Sequence, residues 1–325
     1  MRRFTLGPLL AASLFATAII AMPGGASAQP IGLGTSPQGT LTYALGATVA
    51  KVLADVGNIQ SRVQPSSGTG AMIPLVNSGE VDIGFANTLE LYDAFHGVGT
   101  FDKRPNPNLR AVAVIFPIRV GLFVRGDSPI KTVQDLKGKT TAYGFTSQEI
   151  IKKTVDAMLA TAGMSVNDLK TVLVPNLIRG VDELIAGRVD VTTFALGQAK
   201  VAEADAATGG IRFLPIPEGP TQLAALKKEF PTAYLDKVQP AANLAGVKEP
   251  ITTMFYDYTI FASKDMPAER VKAILKIVAE NKDALGQGHP LFRAMKIERL
   301  HNNIKVPYHD GAIAYFKEKG IAETQ

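Results

Sequence analysis

The sequence predicts an α/β protein with two similar lobes, joined by strands that act as a hinge, and a ligand cleft between the lobes. Short apolar runs typical of buried strands alternate with helical patterns along the 325 residues. One phrase also occurs twice, because Ser78-Gly79-Glu80-Val81-Asp82 returns 108 positions later (187 − 79) as Ala186-Gly187-Arg188-Val189-Asp190. Each copy follows an apolar helix that glycine can close in the left-handed conformation. The alternative is that a doubly wound sheet repeats this pattern without forming two lobes.

The first 28 residues have the features of a secretory signal peptide. Arg2 and Arg3 precede an apolar stretch from Leu9 to Met22, and Ala26-Ser27-Ala28 is a small-residue cleavage site. The apolar stretch is shorter than the roughly 18 residues of a membrane span. We therefore expect cleavage after Ala28 and an exported chain that starts at Gln29. An uncleaved membrane anchor is the alternative.

Composition favours a periplasmic protein that needs no disulfide. The chain has no cysteine, which excludes both disulfides and a lipid-bearing cysteine. A chain of this length buries enough surface without them, and its length suggests two domains. Cleavage of the signal removes two arginines and lowers the net charge from +5 to +3. No dense basic stripe or nucleic-acid-binding motif is visible, so we expect no nucleic-acid partner.

The first lobe is predicted from residues 29–124 together with 259–325. Its apolar or alternating runs predict strands at 31–35, 59–64, 81–86, 109–116 and 120–124. Apolar residues at helical spacing predict helices at 40–55, 72–76 and 88–95, and near the C-terminus at 268–285 and 311–319. Asp127-Ser128-Pro129 breaks the chain after the last of these strands, so the first crossing between lobes is expected near Val124.

The second lobe is predicted from residues 125–258. Strands are expected at 140–145, 171–174, 191–195 and 211–216, and helices at 149–162 and 178–186. The long extended segment 252–262 is the candidate for the return crossing. Because no low-complexity linker separates the two regions, strands should join them.

Motifs for catalysis or for a cofactor are not found. The four histidines, at positions 96, 289, 301 and 309, lack the i, i+4 spacing of a helical zinc pair. A nucleophile elbow is missing, and Thr40-Leu41 stands where a P-loop requires Lys-Ser/Thr. We therefore predict no metal, no cofactor and no enzymatic activity. The competing hypothesis, an exported enzyme, would need a nucleophile–base pair among Ser67, Tyr43 and the histidines.

Three polar turns that join a strand to a helix favour binding. Thr35 to Thr40, Ser66 to Gly70, and Tyr143 to Gln148 each supply hydroxyls, amides and backbone N–H groups before a helix. A helix N-terminus favours an anion, and ligands of open α/β sheets lie at the carboxyl ends of strands. Serine and threonine also simply cap helices, which is the alternative for each residue taken alone.

Arg119 and several aromatic residues are further candidates. Arg119 follows Pro117 beside the presumed crossing, where its guanidinium could bind a carboxylate through two hydrogen bonds. A solvated arginine is the alternative reading. Four aromatic residues near strand ends, which core packing would equally explain, are Tyr43, Phe116, Phe145 and Phe194.

The order of these motifs resembles one family of binding proteins. Thr35 to Gly46 ends in Tyr43-Ala44-Leu45-Gly46, and Ser78 to Phe85 precedes Tyr92 and Gly97-Val98-Gly99-Thr100-Phe101. The chain closes with a segment, 306–312, that reads Val-Pro-Tyr-His-Asp-Gly-Ala. Over nearly the whole mature chain, this series is similar to the TAXI-type solute-binding subunits of TRAP transporters. Residues 36–39 and 145–148 differ from that family's glycine-rich turns, and their bulkier side chains would suit a smaller or differently shaped solute.

The resemblance implies a periplasmic-binding-protein-like fold and a periplasmic protein that delivers a small organic anion, a carboxylate or an amino acid, to TRAP permease subunits. A binding subunit of an ABC importer is the alternative within the same class, and we expect a monomer. Combining the turns with this resemblance, we predict that the following residues contact the ligand: Thr35, Ser36, Gln38, Gly39, Thr40, Tyr43, Ser67, Gly68, Thr69, Asn87, Arg119, Thr146, Ser147, Gln148, Phe194 and Gly197.

Overall fold

The computed structural model describes Met1, residues 30–146 and residues 150–324. Apart from Met1, the predicted signal peptide lies outside the described residues, as do the predicted ligand contacts Ser147 and Gln148. The strands are β1 (Ile31–Thr35), β2 (Ser61–Pro65), β3 (Ile83–Asn87), β4 (Leu109–Arg125), β5 (Thr140–Gly144), β6 (Lys170–Val174), β7 (Val191–Ala195), β8 (Ile211–Phe213), β9 (Tyr234–Val238) and β10 (Ile251–Ser263). The α-helices are α1 (Leu41–Asp55), α2 (Thr69–Ser78), α3 (Thr88–His96), α4 (Ile150–Ala160), α5 (Leu177–Ile185), α6 (Ala199–Thr208), α7 (Pro220–Glu229), α8 (Ala268–Glu280), α9 (Lys282–Gly288) and α10 (Asp310–Lys319).

Two long strands, β4 and β10, connect the two halves of one sheet, whose order is β2-β1-β3-β10-β4-β7-β5-β6. One half of β10 pairs with β3 and the other half with β9, while β4 pairs with β10 and, further along, with β7 and β8. The fold is therefore two α/β lobes, a first one built on β1–β3 and a second one built on β5–β7, joined by strands. This confirms the predicted fold class. The sheet runs through both lobes without a break, so the lobe boundaries near residues 124 and 259 stay a prediction.

The repeated phrase has the same structural role in both lobes. Gly79 and Gly187 follow their helices in the left-handed conformation, with φ of 81° and 71°. The carboxylate of Asp82 then accepts a hydrogen bond from the N–H of Gly32 in β1, at 2.7 Å. In the second lobe the carboxylate of Asp190 accepts one from the N–H of Thr140 in β5, at 2.8 Å. Each aspartate thus fixes the start of a neighbouring parallel strand, through a residue that lies 50 positions earlier in both cases.

Pro117 does not interrupt its strand, contrary to the prediction of two strands on either side of it. β4 is continuous from Leu109 to Arg125, and Pro117 lies opposite Asp257 of β10. Arg119 is two residues further along and therefore lies on the same edge of β4 as Pro117. Its carbonyl accepts from the N–H of Leu196. On that edge the N–H of Val114 donates to the carbonyl of Leu300. Neither the segment of Leu196 nor that of Leu300 is hydrogen-bonded at Pro117. Because Pro117 lies in the gap between the two, its missing N–H costs no ladder hydrogen bond.

Other element predictions were confirmed with small shifts, and a few were wrong. The predicted helix 268–285 is two helices, α8 and α9, because Asn281 has a non-helical φ of −122°. Its side-chain amide donates to the carbonyl of Ile277 at 2.9 Å and so replaces a backbone partner. The predicted strand 211–216 ends at Phe213. Helices α6 and α7 and strand β9 were not predicted.

The hydrophobic core follows the sheet through both lobes. Buried residues of β1, β4, β7 and β10 pack against α1, α5 and α8 in one large cluster. A smaller cluster packs α2 and α3 against the other face of the first lobe, around Met72 and Phe261. The ends of β1, β2 and β3 are thereby held at the edge of the first lobe, where the candidate site lies.

Candidate functional site

A cleft of about 740 Å³ lies between the strand ends of the first lobe and the start of α4 in the second lobe. We call it the main cleft. Its volume lies in the range that is usual for sites of small molecules. Its lining residues are Ser36, Pro37, Thr40, Leu41, Thr42, Ser67, Gly68, Thr69, Gly70, Asn87, Glu90, Asp93, Thr100, Ile150, Lys152, Lys153, Asp156 and Tyr258.

The turn after β1 places hydroxyl groups on the first wall of the main cleft. Thr40 caps α1, since its Oγ1 accepts from the N–H of Tyr43 at 3.3 Å and donates to the carbonyl of Pro37 at 2.7 Å. The Oγ1 of Thr42 accepts from the N–H of Ser36 at 3.2 Å. Thr40 therefore both caps α1 and lines the cleft, so the two interpretations made from the sequence, a helix cap and a ligand contact, do not exclude each other.

The turn after β2 leads into α2 without a side-chain cap. Gly68 occupies the N-cap position and provides no side-chain acceptor, so the first N–H groups of α2 keep their capacity to bind an anion. Ser67 is exposed to the cleft, and among the described residues its hydroxyl has no hydrogen-bond partner. A Cβ added to Gly70 would meet no atom within 4 Å, which shows open space beside the start of the helix.

The turn after β3 holds a carboxylate against the cleft. Asn87 caps α3 through its Oδ1, which accepts from the N–H of Glu90 at 2.9 Å, and its amide nitrogen donates to Glu90 Oε2 at 2.5 Å. The hydroxyl of Thr69 donates to the other oxygen of Glu90 at 2.6 Å. Burial nevertheless raises the pKa of Glu90 above its ordinary value, with the nearby carboxylate of Asp93 contributing in the same direction.

The second lobe contributes two lysines and a further carboxylate through α4. Lys153 donates to Asp93 of α3 at 2.7 Å, an ion pair that spans the two lobes. Asp156 accepts from the hydroxyl of Tyr143 at 2.9 Å. Burial raises the pKa of Asp93 and also that of Asp156. Lys152 lies 5.9 Å from the centre of the Tyr143 ring. The main cleft is therefore lined by three carboxylates and two ammonium groups, in addition to its hydroxyls.

A second contact between the lobes lies beside the main cleft. The hydroxyl of Thr88, at the start of α3, donates to the hydroxyl of Thr232 at 3.0 Å. Together with the pair of Lys153 and Asp93, it joins the two lobes across the cleft. The structure therefore has the two lobes in contact at these two pairs of residues.

The structure brings together part of the predicted contact residues. Six of them line the main cleft: Ser36, Thr40, Ser67, Gly68, Thr69 and Asn87. Five others do not line it, although they lie in the turns that border it or, for Tyr43, in the first turn of α1: Thr35, Gln38, Gly39, Tyr43 and Thr146. Of these, Thr35 is fully buried and its hydroxyl has no partner among the described residues.

The remaining predicted contacts lie elsewhere. Arg119 lines a different pocket, which shares no lining residue with the main cleft. Phe194 and Gly197 flank the lining residues Ala195, Leu196 and Gln198 of that pocket. The aromatic residues Phe116 and Phe145 are buried in the core, in line with the packing alternative.

Sequence reasoning missed the charged residues of the main cleft, namely Glu90, Asp93, Lys152, Lys153 and Asp156. One signal was available, because Glu90 stands three residues after Asn87, which is the spacing of an N-cap and its partner. No local pattern indicates that α3 and α4, 60 residues apart at Asp93 and Lys153, face one another.

No group of three His, Asp or Glu side chains able to hold a metal ion is found within residues 30–146 and 150–324. Over the same residues, none of the helices is long and apolar enough to cross a membrane.

Several solved structures share the fold of this chain. A TctC solute-binding protein from Polaromonas has a TM-score of 0.55 at 14% identity, over 80% of this chain and 86% of that one. The periplasmic sulfonate-binding protein SsuA from Methylobacillus flagellatus has a TM-score of 0.51 at 17% identity, over 90% and 88%. PhnD1 from Prochlorococcus marinus, solved with methylphosphonate, has a TM-score of 0.50 at 13% identity, over 82% and 90%. At these identities the likeness concerns the fold.

The family is shown by the sequence itself. The family model described as NMT1-like matches residues 33–320, which is nearly all of the chain after the predicted signal peptide. The chain belongs to the NMT1-like family.

Proposed function

We propose that this protein is an exported periplasmic solute-binding protein that captures a small organic anion, a carboxylate or an amino acid, in the main cleft. The observation that carries the proposal is the meeting of three strand-end turns with α4 around one volume of about 740 Å³. Membership of the NMT1-like family and the fold shared with the TctC, SsuA and PhnD1 proteins support it. Ligands of α/β sheets lie at such strand ends.

The start of α2 is the proposed site for the negatively charged group of the solute. Its N–H groups have no side-chain cap, and Ser67 and Thr69 stand beside them. The helix dipole favours negative charge there. Ser36 and Thr40 face the same volume from the first turn, and Lys152 faces it from the second lobe. The proposed contacts in the main cleft are thus the six predicted residues that line it, with Lys152 added.

We further propose that the protein delivers its solute to a TRAP-type secondary transporter, on the resemblance of its motifs to TAXI-type subunits. The ABC importer stays the alternative, and SsuA is an example of that class with the same fold. The energy source distinguishes the two. Solute uptake by spheroplasts, with the purified protein added back, should stop when an ionophore collapses the ion gradients. Uptake that survives the ionophore and stops on ATP depletion would favour the importer.

The binding proposal is tested by identifying what co-purifies with the protein from the periplasm, using mass spectrometry after denaturation. Gly70→Phe is the informative variant, because its side chain would project into the open space of the cleft from a position without positive φ. Ala71→Phe is the matched control, since Ala71 is the next residue of α2, is exposed and does not line the cleft.

Wild type and Ala71→Phe should both carry the solute, and adding it back at 100 times Kd should stabilise each by about 2.7 kcal/mol. Gly70→Phe should carry none and should show no such stabilisation. Equal occupancy of Gly70→Phe would contradict binding in the main cleft. An enzymatic role would instead show itself as chemical conversion of the added solute.

A further inference from the structure

A second pocket, of about 480 Å³, lies beside β4 and is formed by both lobes. From the first lobe it is lined by residues 114–118 of β4 and by the segment 291–299. From the second lobe it is lined by Ala195, Leu196 and Gln198 at the end of β7 and by most of the segment 236–244. We call it the β4 pocket. Its lining has no residue in common with that of the main cleft.

Arg119 enters the β4 pocket without a partner. In the antiparallel ladder it lies opposite Phe255, and Pro117 lies opposite Asp257, so all four side chains share one face of the two strands. Within residues 30–146 and 150–324, no carboxylate forms an ion pair with Arg119, and no acceptor takes a hydrogen bond from its guanidinium. The side chain is half-buried, and this burial lowers the pKa of Arg119.

The other charged groups of the pocket do not neutralise Arg119. Asp257 is already held by Arg299 at 3.5 Å, by the hydroxyl of Tyr234 at 2.9 Å and by the amide of Asn302 at 3.0 Å. Lys296 and Lys237 line the pocket without an ion pair among the described residues. Asp236 is the one further carboxylate in the lining, and it is exposed. The pocket therefore has an excess of positive charge.

Apolar side chains form much of the remaining wall. They come from several elements and include Pro117, Leu196, Val238, Leu244 and Leu291. A half-buried guanidinium beside such a wall matches a planar carboxylate attached to an apolar body, since the fork of the guanidinium can bind both oxygens. Inorganic anions would leave the apolar wall uncovered.

We infer that the β4 pocket is a second binding site, distinct from the main cleft, for an organic carboxylate with an apolar body, and that Arg119 binds its carboxylate group. The inference does not depend on which solute fills the main cleft. Because both lobes line the pocket, a bound carboxylate would contact both of them next to the connecting strands.

The test uses 4-fluorobenzoate as the probe and follows its ¹⁹F resonance during titration with protein. The measurement is made on wild type and on Gly70→Phe, in which the main cleft is filled. Saturable binding to both is expected. Arg119→Gln should weaken it by about tenfold or more, as loss of a charge-assisted hydrogen bond implies. Arg119→Lys, which keeps the charge without the fork, should weaken it less. 4-Fluorobenzyl alcohol, the uncharged analogue, should bind weakly and equally to wild type and Arg119→Gln.

Lys152→Gln is the matched control, because it removes a cation that lines the main cleft instead. Introduced into Gly70→Phe, in which the main cleft is filled, it should leave the affinity for 4-fluorobenzoate unchanged. Binding that is lost in Gly70→Phe and retained in Arg119→Gln would place the probe in the main cleft, which overturns this inference while supporting the proposed function. Absence of saturable binding to wild type at millimolar probe also overturns it. Lys296→Gln changes an exposed side chain of the pocket lining and should lower the affinity for 4-fluorobenzoate severalfold. It provides the test if Arg119→Gln does not fold.

Discussion

Residues of β10 line both the main cleft and the β4 pocket, but the polar groups of the two cavities are arranged in opposite ways. In the main cleft the three carboxylates have side-chain partners: Glu90 binds Thr69 and Asn87, Asp93 binds Lys153, and Asp156 binds Tyr143. In the β4 pocket Arg119 has no such partner within the described residues, although a fully paired carboxylate, Asp257, lies on the same face. A satisfied network holds a wall in shape, whereas an unpaired half-buried charge is available to a ligand.

The largest effect is expected at Asp257, whose network supports the wall of the β4 pocket. Its side chain is 2% exposed and is bound by Tyr234, Asn302 and Arg299. Asp257→Ala leaves the donors of Tyr234, Asn302 and Arg299 without their acceptor. It should lower the free energy of unfolding by roughly 3–5 kcal/mol. Urea denaturation measures this. Asp55→Ala, which removes an exposed pair with Lys51, should cost at most about 0.5 kcal/mol. Equal costs for the two variants would show that Asp257 supports nothing.

The contribution of Glu90 to stability should depend on pH. Because its folded-state pKa is raised by burial, the native state binds the proton more tightly than the unfolded state. The stability that it contributes is therefore greatest below the ordinary pKa of 4.5, and it falls as pH rises through the raised value. The carboxylate of Asp93 raises the pKa of Glu90 further, whereas Tyr256 and Tyr258 stay neutral in this range because their own pKa values are raised. Comparing Glu90→Gln with wild type isolates the effect. The free energy of unfolding of the variant, relative to that of wild type, should rise between about pH 4 and pH 7.

Asp135 provides a control of opposite sign. Its pKa is lowered, because its carboxylate accepts from the N–H groups of Lys131 and Thr132. Its stabilisation is therefore present above the ordinary pKa of 3.8 and is lost as pH falls through the lowered value. The free energy of unfolding of Asp135→Asn, relative to that of wild type, should therefore fall as pH rises. Urea titrations of both variants across this range would show opposite slopes, and parallel slopes would contradict the burial of Glu90.

The pair of Lys153 and Asp93 should stabilise the arrangement in which the lobes touch. Lys153→Gln removes the pair, and we expect the equilibrium to shift toward an open cleft by roughly 0.5–1 kcal/mol, or about 2–5-fold. The chain has no cysteine, so spin labels on cysteines introduced at the exposed residues Lys51 and Lys170 would report the distance between lobes. Lys152→Gln, on the neighbouring residue of the same helix, should leave the distance distribution unchanged.

Much of the fold could be predicted from sequence because its signals are local. Apolar runs with the period of strands or helices identified most elements, and the repeated Gly-x-Val-Asp phrase identified the two lobes. Helices α6 and α7 were missed because their apolar pattern is weak; only two residues of α6 and one of α7 are buried. Pro117 misled the prediction, because only the pairing on both edges of β4 shows that its missing N–H is harmless.

The candidate site could be predicted only in part. The turns after β1 and β2 were found because strand ends and helix caps are local, and five of their predicted residues line the main cleft. The sixth, Asn87, follows β3, and no described residue of the predicted turn after β5 lines the cleft. The charged residues were not found, because the contact between Asp93 and Lys153 depends on how the two lobes meet. The direction of Arg119 depends on its register opposite Phe255, which local sequence does not determine.

The affinity for the solute should separate two residues that the sequence could not distinguish. Ser67 lines the main cleft with a free hydroxyl among the described residues, whereas Gln38 is exposed in the first turn and does not line it. Ser67→Ala should lower the affinity for the co-purified solute by about 0.5–1.5 kcal/mol, the usual net value of one hydrogen bond. Gln38→Ala should leave it unchanged. Calorimetry of both variants measures the two affinities, and neither variant should change the free energy of unfolding, because each side chain is exposed. A loss for Gln38→Ala alone would mean that the solute is bound at the outer turn, and that the cleft between α3 and α4 is not its site.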